Sequence, residues 1–276
     1  MPALAELTRA LRDALAQPQV SVPSPPSIIS ELLARIDDPE TSLAEVAAVV
    51  ARDPALAARV VGVANSSLYR GAAESTSVTH AVGRLGLSTL RTVALGMAAG
   101  QLARGRDLRE LRSRYWTHCL ATGVGAKLVG RHLGERGEET LFLAGLLFPI
   151  GRLVALHLLP AGKHPLEEVR AAVEEVHDEA GLALFERWEL PSFHRDLARR
   201  CRSSEAQAEP DRWVDMISFA SEAAWACGLG PQPPTEDAPP LSRTPRAERL
   251  GLTEVQVCDL EIELEDLVDE LKGYLD

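Results

Sequence analysis

An all-α fold is predicted for this 276-residue chain by three observations. Aromatic residues make up only 4% of it while Ala, Leu, Val and Arg dominate, a mixture that suits helices better than sheets. Apolar residues recur at spacings of three and four in segment after segment. Helix start and stop signals punctuate those segments: Ser and Asp as N-caps, Pro at a first helical position, Gly at the ends. With 46% hydrophobic residues the chain has the means to bury a real core.

The elements follow in order. Residues 3–16 place Leu4, Leu7, Leu11 and Leu15 on one stripe. The stretch Gln17 to Pro26 cannot be regular helix, because closely spaced prolines fix φ and remove donors. Helix resumes near Ser27 and ends before Asp37-Asp38-Pro39. Ser42 and Glu45 match a capping box, and Asp53-Pro54 reads as an N-cap followed by Pro at the first helical position. That helix ends around Asn65-Ser66-Ser67. A short helix over Val78 to Leu85 is closed by Gly86, and Ser88 can cap a longer one through Gln101. A second unit begins near Leu108, with a helix carrying Tyr115, Trp116 and His118 and closed by Gly134. Two short apolar helices flank Pro149 and Gly151. Pro165 to Val176 and Asp178 to Trp188 are expected as two helices, followed by Ser192 to Arg200 and Asp211 to Cys227. Gly228 to Pro245 is Pro-rich and reads as a linker, and Leu252 to Leu275 is an acidic amphipathic helix.

Composition also narrows function. A net charge of -11 repels phosphate backbones, so nucleic acid is not an expected partner. Cys119, Cys201, Cys227 and Cys258 form no CxxC pair, which fits a reducing cytoplasm better than a zinc site or disulfide framework. The N-terminus lacks the continuous apolar run of a signal peptide. Leu141 to Leu159 has the length of a membrane span, but Pro149, Arg152 and His157 interrupt it, so no membrane association is expected.

Candidate sites are few. Thr41 to Tyr69 imitates a helix-turn-helix, yet its second helix is largely apolar and Arg52, Arg59 and Arg70 are offset by Glu45 and Asp53; packing is the better reading. His118 is a lone helical histidine. His177-Asp178 is an adjacent pair of the kind divalent metals use only with further ligands, and Asp178 is better explained as a cap on the next helix. His194 and Asp196 lie two apart on a helix, so their side chains diverge. Gly123 and Gly125 read as close-packing positions. The apolar stripe of the last helix is either core or a partner surface, with docking on its own domain preferred.

The order of motifs resembles the HDOD family. Val22-Pro23-Ser24-Pro25-Pro26, then Asp53-Pro54-Ala55-Leu56, then Val63-Ala64-Asn65-Ser66-Ser67-Leu68-Tyr69, then Arg84-Leu85-Gly86-Leu87-Ser88-Thr89-Leu90-Arg91 are similar to the family's N-terminal half. The second half resembles the HD hydrolases, whose active members hold metal through a helical His, a His-Asp doublet and a later Asp. The resemblance places these at His118, Phe148, Pro149 and Ser221, so three of the four positions have lost their metal donors apart from a neutral hydroxyl. No metal, cofactor or catalytic residue is therefore expected, and these four are vestigial site positions.

The resemblance implies an N-terminal arm (1–20), an N-terminal HDOD helical subdomain (21–107) packed on a degenerate HD-like helical subdomain (108–230), a Pro-rich linker (231–248) and a C-terminal amphipathic helix (249–276). It implies a noncatalytic bacterial signalling output or adaptor, acting on a regulatory protein of a two-component or cyclic dinucleotide pathway. The binding surface would be the groove between the halves or the C-terminal helix. Two other readings stay open: a metal-dependent phosphohydrolase with a non-standard ligand set of His118, His177 and Asp178, and a nucleotide or nucleic-acid binder using arginines such as Arg84 and Arg91.

Overall fold

Local signals set several helix starts, among them those at Ser42 and Asp53. The computed structural model describes residues 2–17, 22–105, 107–202, 211–235 and 238–275, and among them the regular structure is helical. α1 (Pro2–Ala16) buries Leu7 and Leu11 and packs along α9 (Leu166–Arg187), with Arg12 paired to Glu179 at 3.2 Å. α2 spans Ser27–Asp37. α3 (Leu43–Ala51) starts in the expected capping box: the Glu45 amide donates to Ser42 Oγ at 3.3 Å and the Ser42 amide donates to Glu45 Oε2 at 2.8 Å. α4 (Pro54–Asn65) is capped by Asp53, which accepts from the Leu56 amide at 2.9 Å.

The 66–77 loop is pinned by Asn65, which exchanges two hydrogen bonds with the Ser75 backbone at 2.7 and 2.9 Å. α5 (Val78–Leu102) runs through Gly86, whose φ of 71° breaks the helix where the Leu-Gly signal predicts an end. α2 to α5 bury Ile29, Leu32, Val46, Val50, Leu56, Val60, Leu90 and Leu95 against one another.

The second unit is arranged about α6 (Arg109–His132), which packs on α7 (Glu138–Leu147) and on α11 (Arg212–Ala226). Small residues set those crossings. A Cβ on Gly145 would meet the Thr122 carbonyl at 2.6 Å, and one on Gly125 would meet the Ala220 Cβ at 3.1 Å. α8 (Gly151–His157) crosses α9 more closely still: a Cβ on Gly151 would fall 1.8 Å from the His177 carbonyl oxygen. The apolar stretch Glu138–His157, long enough by composition to cross a membrane, is two helices parted at Pro149, with 78% of its most apolar window buried inside the fold.

Residues 166–187 form one helix, not the two expected. No Gly or Pro interrupts Val176-His177-Asp178-Glu179, so Asp178 sits mid-helix and caps nothing. α10 spans Ser192–Arg202. Within the Pro-rich stretch lie a 3-10 turn at Leu241–Arg243 and a short helix α12 (Pro245–Leu250), which is tied to α11 by Arg249–Asp215 and Arg246–Glu222. α13 (Glu254–Leu275) lies against α6, α4 and α5, burying Val257, Leu260, Leu264, Leu267, Val268, Leu271 and Leu275. The last helix therefore docks on its own fold and touches both halves.

Candidate functional site

His118 sits on the buried face of α6 and is 4% exposed. Its Nε2 lies 3.2 Å from Ser221 Oγ on α11, so the first and last of the vestigial positions do meet. Burial, reinforced by the Arg152 guanidinium and opposed by the Leu229 backbone, pulls the imidazole down to about 3, so it is neutral at physiological pH.

Arg152 decides the character of this site. It stands on α8 and is clamped by Glu174 of α9 through two parallel hydrogen bonds of 2.8 Å. Burial works against its charge, but the Glu174 hydrogen bonds and charge outweigh it and hold the guanidinium protonated. The same cation acts on His118 and Cys119. Cys119 is fully buried and its thiol is pushed up to about 12, which removes it as a nucleophile.

Phe148 and Pro149 lie at the α7–α8 junction, Pro149 buried and Phe148 half-buried. Phe148 lines a small apolar cavity with Ala144, Leu147, Phe185, Leu197 and Ile217, and His194 forms part of its wall. His177 is engaged locally: its Nδ1 is 2.8 Å from the Glu174 carbonyl and its Nε2 3.0 Å from Asp178. Among the described residues no three His, Cys, Asp or Glu side chains converge as a metal-binding group, so His118, His177 and Asp178 do not form one. The donor set does not fit a catalytic metal: one imidazole, one neutral hydroxyl, and an arginine cation where positive charge would have to be added.

A second feature lies between α2 and α5 on one side and α7 and α10 on the other. A groove of about 320 Å³ is lined from one side by Asp37, Ser88, Arg91 and Thr92, and from the other by Glu139, Thr140, Glu189 and His194. Arg91 pairs with Asp37. Glu139 accepts from the Tyr69 hydroxyl at 3.2 Å and pairs with buried Lys127, whose Nζ also lies 4.1 Å above the Tyr69 ring. This network joins the end of the first unit to α6 and α7. Burial lowers Lys127 despite Glu139, and burial with the Glu139 charge holds Tyr69 well above its ordinary range.

Residues 22–203 match the HDOD domain family, about two thirds of the sequence. The chain belongs to the HDOD family. Over 220 residues it is 25% identical to an uncharacterised protein of Treponema pallidum (strain Nichols), covering 72% of this chain but only 41% of that longer protein. Among solved structures, an HDOD domain protein of unknown function from Geobacter sulfurreducens is 24% identical with a TM-score of 0.68, over 99% of this chain and 98% of that one. A Shewanella amazonensis SB2B protein, provisionally named a metal-dependent phosphohydrolase, is 21% identical with a TM-score of 0.78 over the whole of both chains. A Marinobacter aquaeolei VT8 protein, provisionally named for signal transduction, is 20% identical with a TM-score of 0.62, over 99% of this chain and 65% of that one. At such identities these likenesses show the fold.

Within this HDOD chain the arginines proposed for phosphate contacts are already engaged. Arg84 donates to the Ala64 carbonyl at 2.9 Å and to the Ala73 carbonyl, holding the 66–77 loop, and Arg91 is taken by Asp37. Sequence reasoning gave Arg152 and Glu174 no role in the site and set His194 aside. Arg152 was visible as a charge in an apolar run, the one signal that it needed a buried partner.

Proposed function

We propose that this HDOD chain is a noncatalytic signal-transduction output module that acts by binding a regulatory protein of a two-component or cyclic dinucleotide pathway. The observation that carries this reading is the chemistry around His118. Its imidazole meets a neutral hydroxyl at Ser221 and lies in the field of the Arg152 cation, while Phe148 and Pro149 offer carbon where a hydrolase needs donors. The site keeps its architecture as packing and has lost the groups that would activate water. Apart from exposed Val255 and Ile262, the apolar residues of α13 are used in intramolecular contacts, and we favour the groove between the halves as the binding surface. The protein is expected to act in the cytoplasm.

Affinity capture of the tagged chain from its host, read by mass spectrometry, tests this. Enrichment of one histidine kinase, response regulator or cyclic dinucleotide enzyme is expected. Stoichiometric divalent metal in the purified chain, with phosphodiesterase turnover that His118→Ala abolishes, would establish a hydrolase instead.

A further inference from the structure

The groove between the halves carries more information than its position. Its lining holds three carboxylates, Asp37, Glu139 and Glu189, against one guanidinium, Arg91. Two of those acids are already neutralised, Asp37 by Arg91 and Glu139 by Lys127. The Glu189 carboxylate is exposed and has no ion-pair partner among the described residues. Facing the same groove is His194, 8% exposed, whose buried Nδ1 has no hydrogen-bond partner among the described residues.

The sign of the charge selects the ligand. A phosphate or carboxylate entering here would meet an uncompensated acid and an arginine already engaged. A guanidinium or ammonium group would meet the Glu189 carboxylate, with the His194 ring beside it in the lining. We infer that this groove is a binding site for a guanidinium or ammonium group, held by the Glu189 carboxylate with the His194 ring in the same lining. Because burial and the Arg91 charge keep His194 neutral down to about 4, the ring does not repel such a cation at physiological pH.

Glu189 has a further mark of use. It closes α9 at φ 51°, a left-handed conformation that glycine normally takes at this position, with the Leu190 amide donating back to the Phe185 carbonyl at 3.0 Å. A side chain is kept where the backbone disfavours one. Since the lining comes from both units, a ligand here would stabilise one relative placement of the halves.

This inference rests on the groove as the working surface of the adaptor, and its test is independent of any captured partner. The imidazole nitrogens of the full chain, 15N-labelled, are followed by NMR during titration with agmatine, with N-acetyl-arginine amide, and with sodium phosphate at matched ionic strength. Saturable shifts of the His194 ring by either guanidinium probe, weakened roughly tenfold by Glu189→Gln, are expected. Glu254→Gln, an exposed acid on α13, should leave them unchanged. Tighter binding of agmatine indicates a free metabolite; tighter binding of the blocked arginine indicates a side chain presented by a partner. The inference is overturned if neither probe shifts the ring saturably, if Glu189→Gln binds equally well, or if phosphate alone produces the shift. Failure here with a partner captured would move the adaptor's surface elsewhere; binding here without a captured partner would keep the site and remove the adaptor reading.

Discussion

Two buried histidines, His118 and His194, stand in opposite circumstances. Both are held neutral by burial with a nearby arginine, His118 by Arg152 down to about 3 and His194 by Arg91 down to about 4. Around His118 the space is closed: Ser221 meets Nε2, and the arginine is locked by Glu174 in a bidentate pair. Around His194 there is an apolar cavity on one side and an open polar groove on the other, and its arginine pairs at the surface. A catalytic position that loses its donors can be absorbed into the core as packing. A histidine at a junction of four helices stays beside a space that something else can enter.

The largest effect that tests the shared half of this comparison is on pH. Each ring has an ordinary value of 6.5 in the unfolded chain and a depressed one in the fold. As pH falls below about 6.5 the unfolded chain takes up protons that the folded chain refuses, so stability is lost across the window down to about 4. For the two rings together the loss approaches about 3 kcal/mol per pH unit. Urea midpoints measured from pH 7.5 to 4.5 should fall accordingly, and His118→Gln or His194→Gln should each remove about half of the slope. An unchanged slope in both variants would show that neither ring is buried neutral.

The next effect separates the two arginines. Glu174→Gln leaves Arg152, largely buried, without its counterion; discounting for the partial exposure of Glu174, the cost is about 2 kcal/mol. Asp37→Asn frees Arg91, which keeps more access to solvent, at under about 1 kcal/mol. Equal losses in denaturant titrations would mean the first site is no more closed than the second. Ser221→Ala tests the same closure on a smaller scale, removing the partner of His118 Nε2 for about 1 kcal/mol.

What was legible in the sequence follows from how far each interaction reaches along the chain. The Ser42–Glu45 box, the Asp53 cap and the Gly86 break act within three or four residues, and each stands where the sequence puts it. Gly123 and Gly125 were readable as packing positions because a glycine inside a helix needs an external reason. The Arg152–Glu174 clamp joins residues on different helices, and no local pattern announces it. His194 was set aside because it and Asp196 diverge on one helix; its importance comes from α2, α5 and α7, which bring Asp37, Arg91 and Glu139 to the same groove. The division of 166–187 into two helices failed for the opposite reason, Asp178 read as a cap where helix propensity simply continues.

The smallest predicted effect bears most directly on use. Glu189→Gly removes a side chain from a left-handed position, which relieves about 1 kcal/mol of strain and returns part of it as unfolded-state entropy, for a net gain of about 0.5 kcal/mol. Glu189→Gln keeps the strain and loses only the charge, so its stability should match the parent. A thermal shift upward for the first and none for the second, with both weakened toward guanidinium probes, separates the backbone from the carboxylate. Stability would then be favoured by glycine and binding by glutamate at one position, the signature of a residue kept for a ligand at the expense of the fold. If Glu189→Gly is instead destabilising, the carboxylate supports the fold in its own right, and the groove resembles the closed site at His118 more than its opposite.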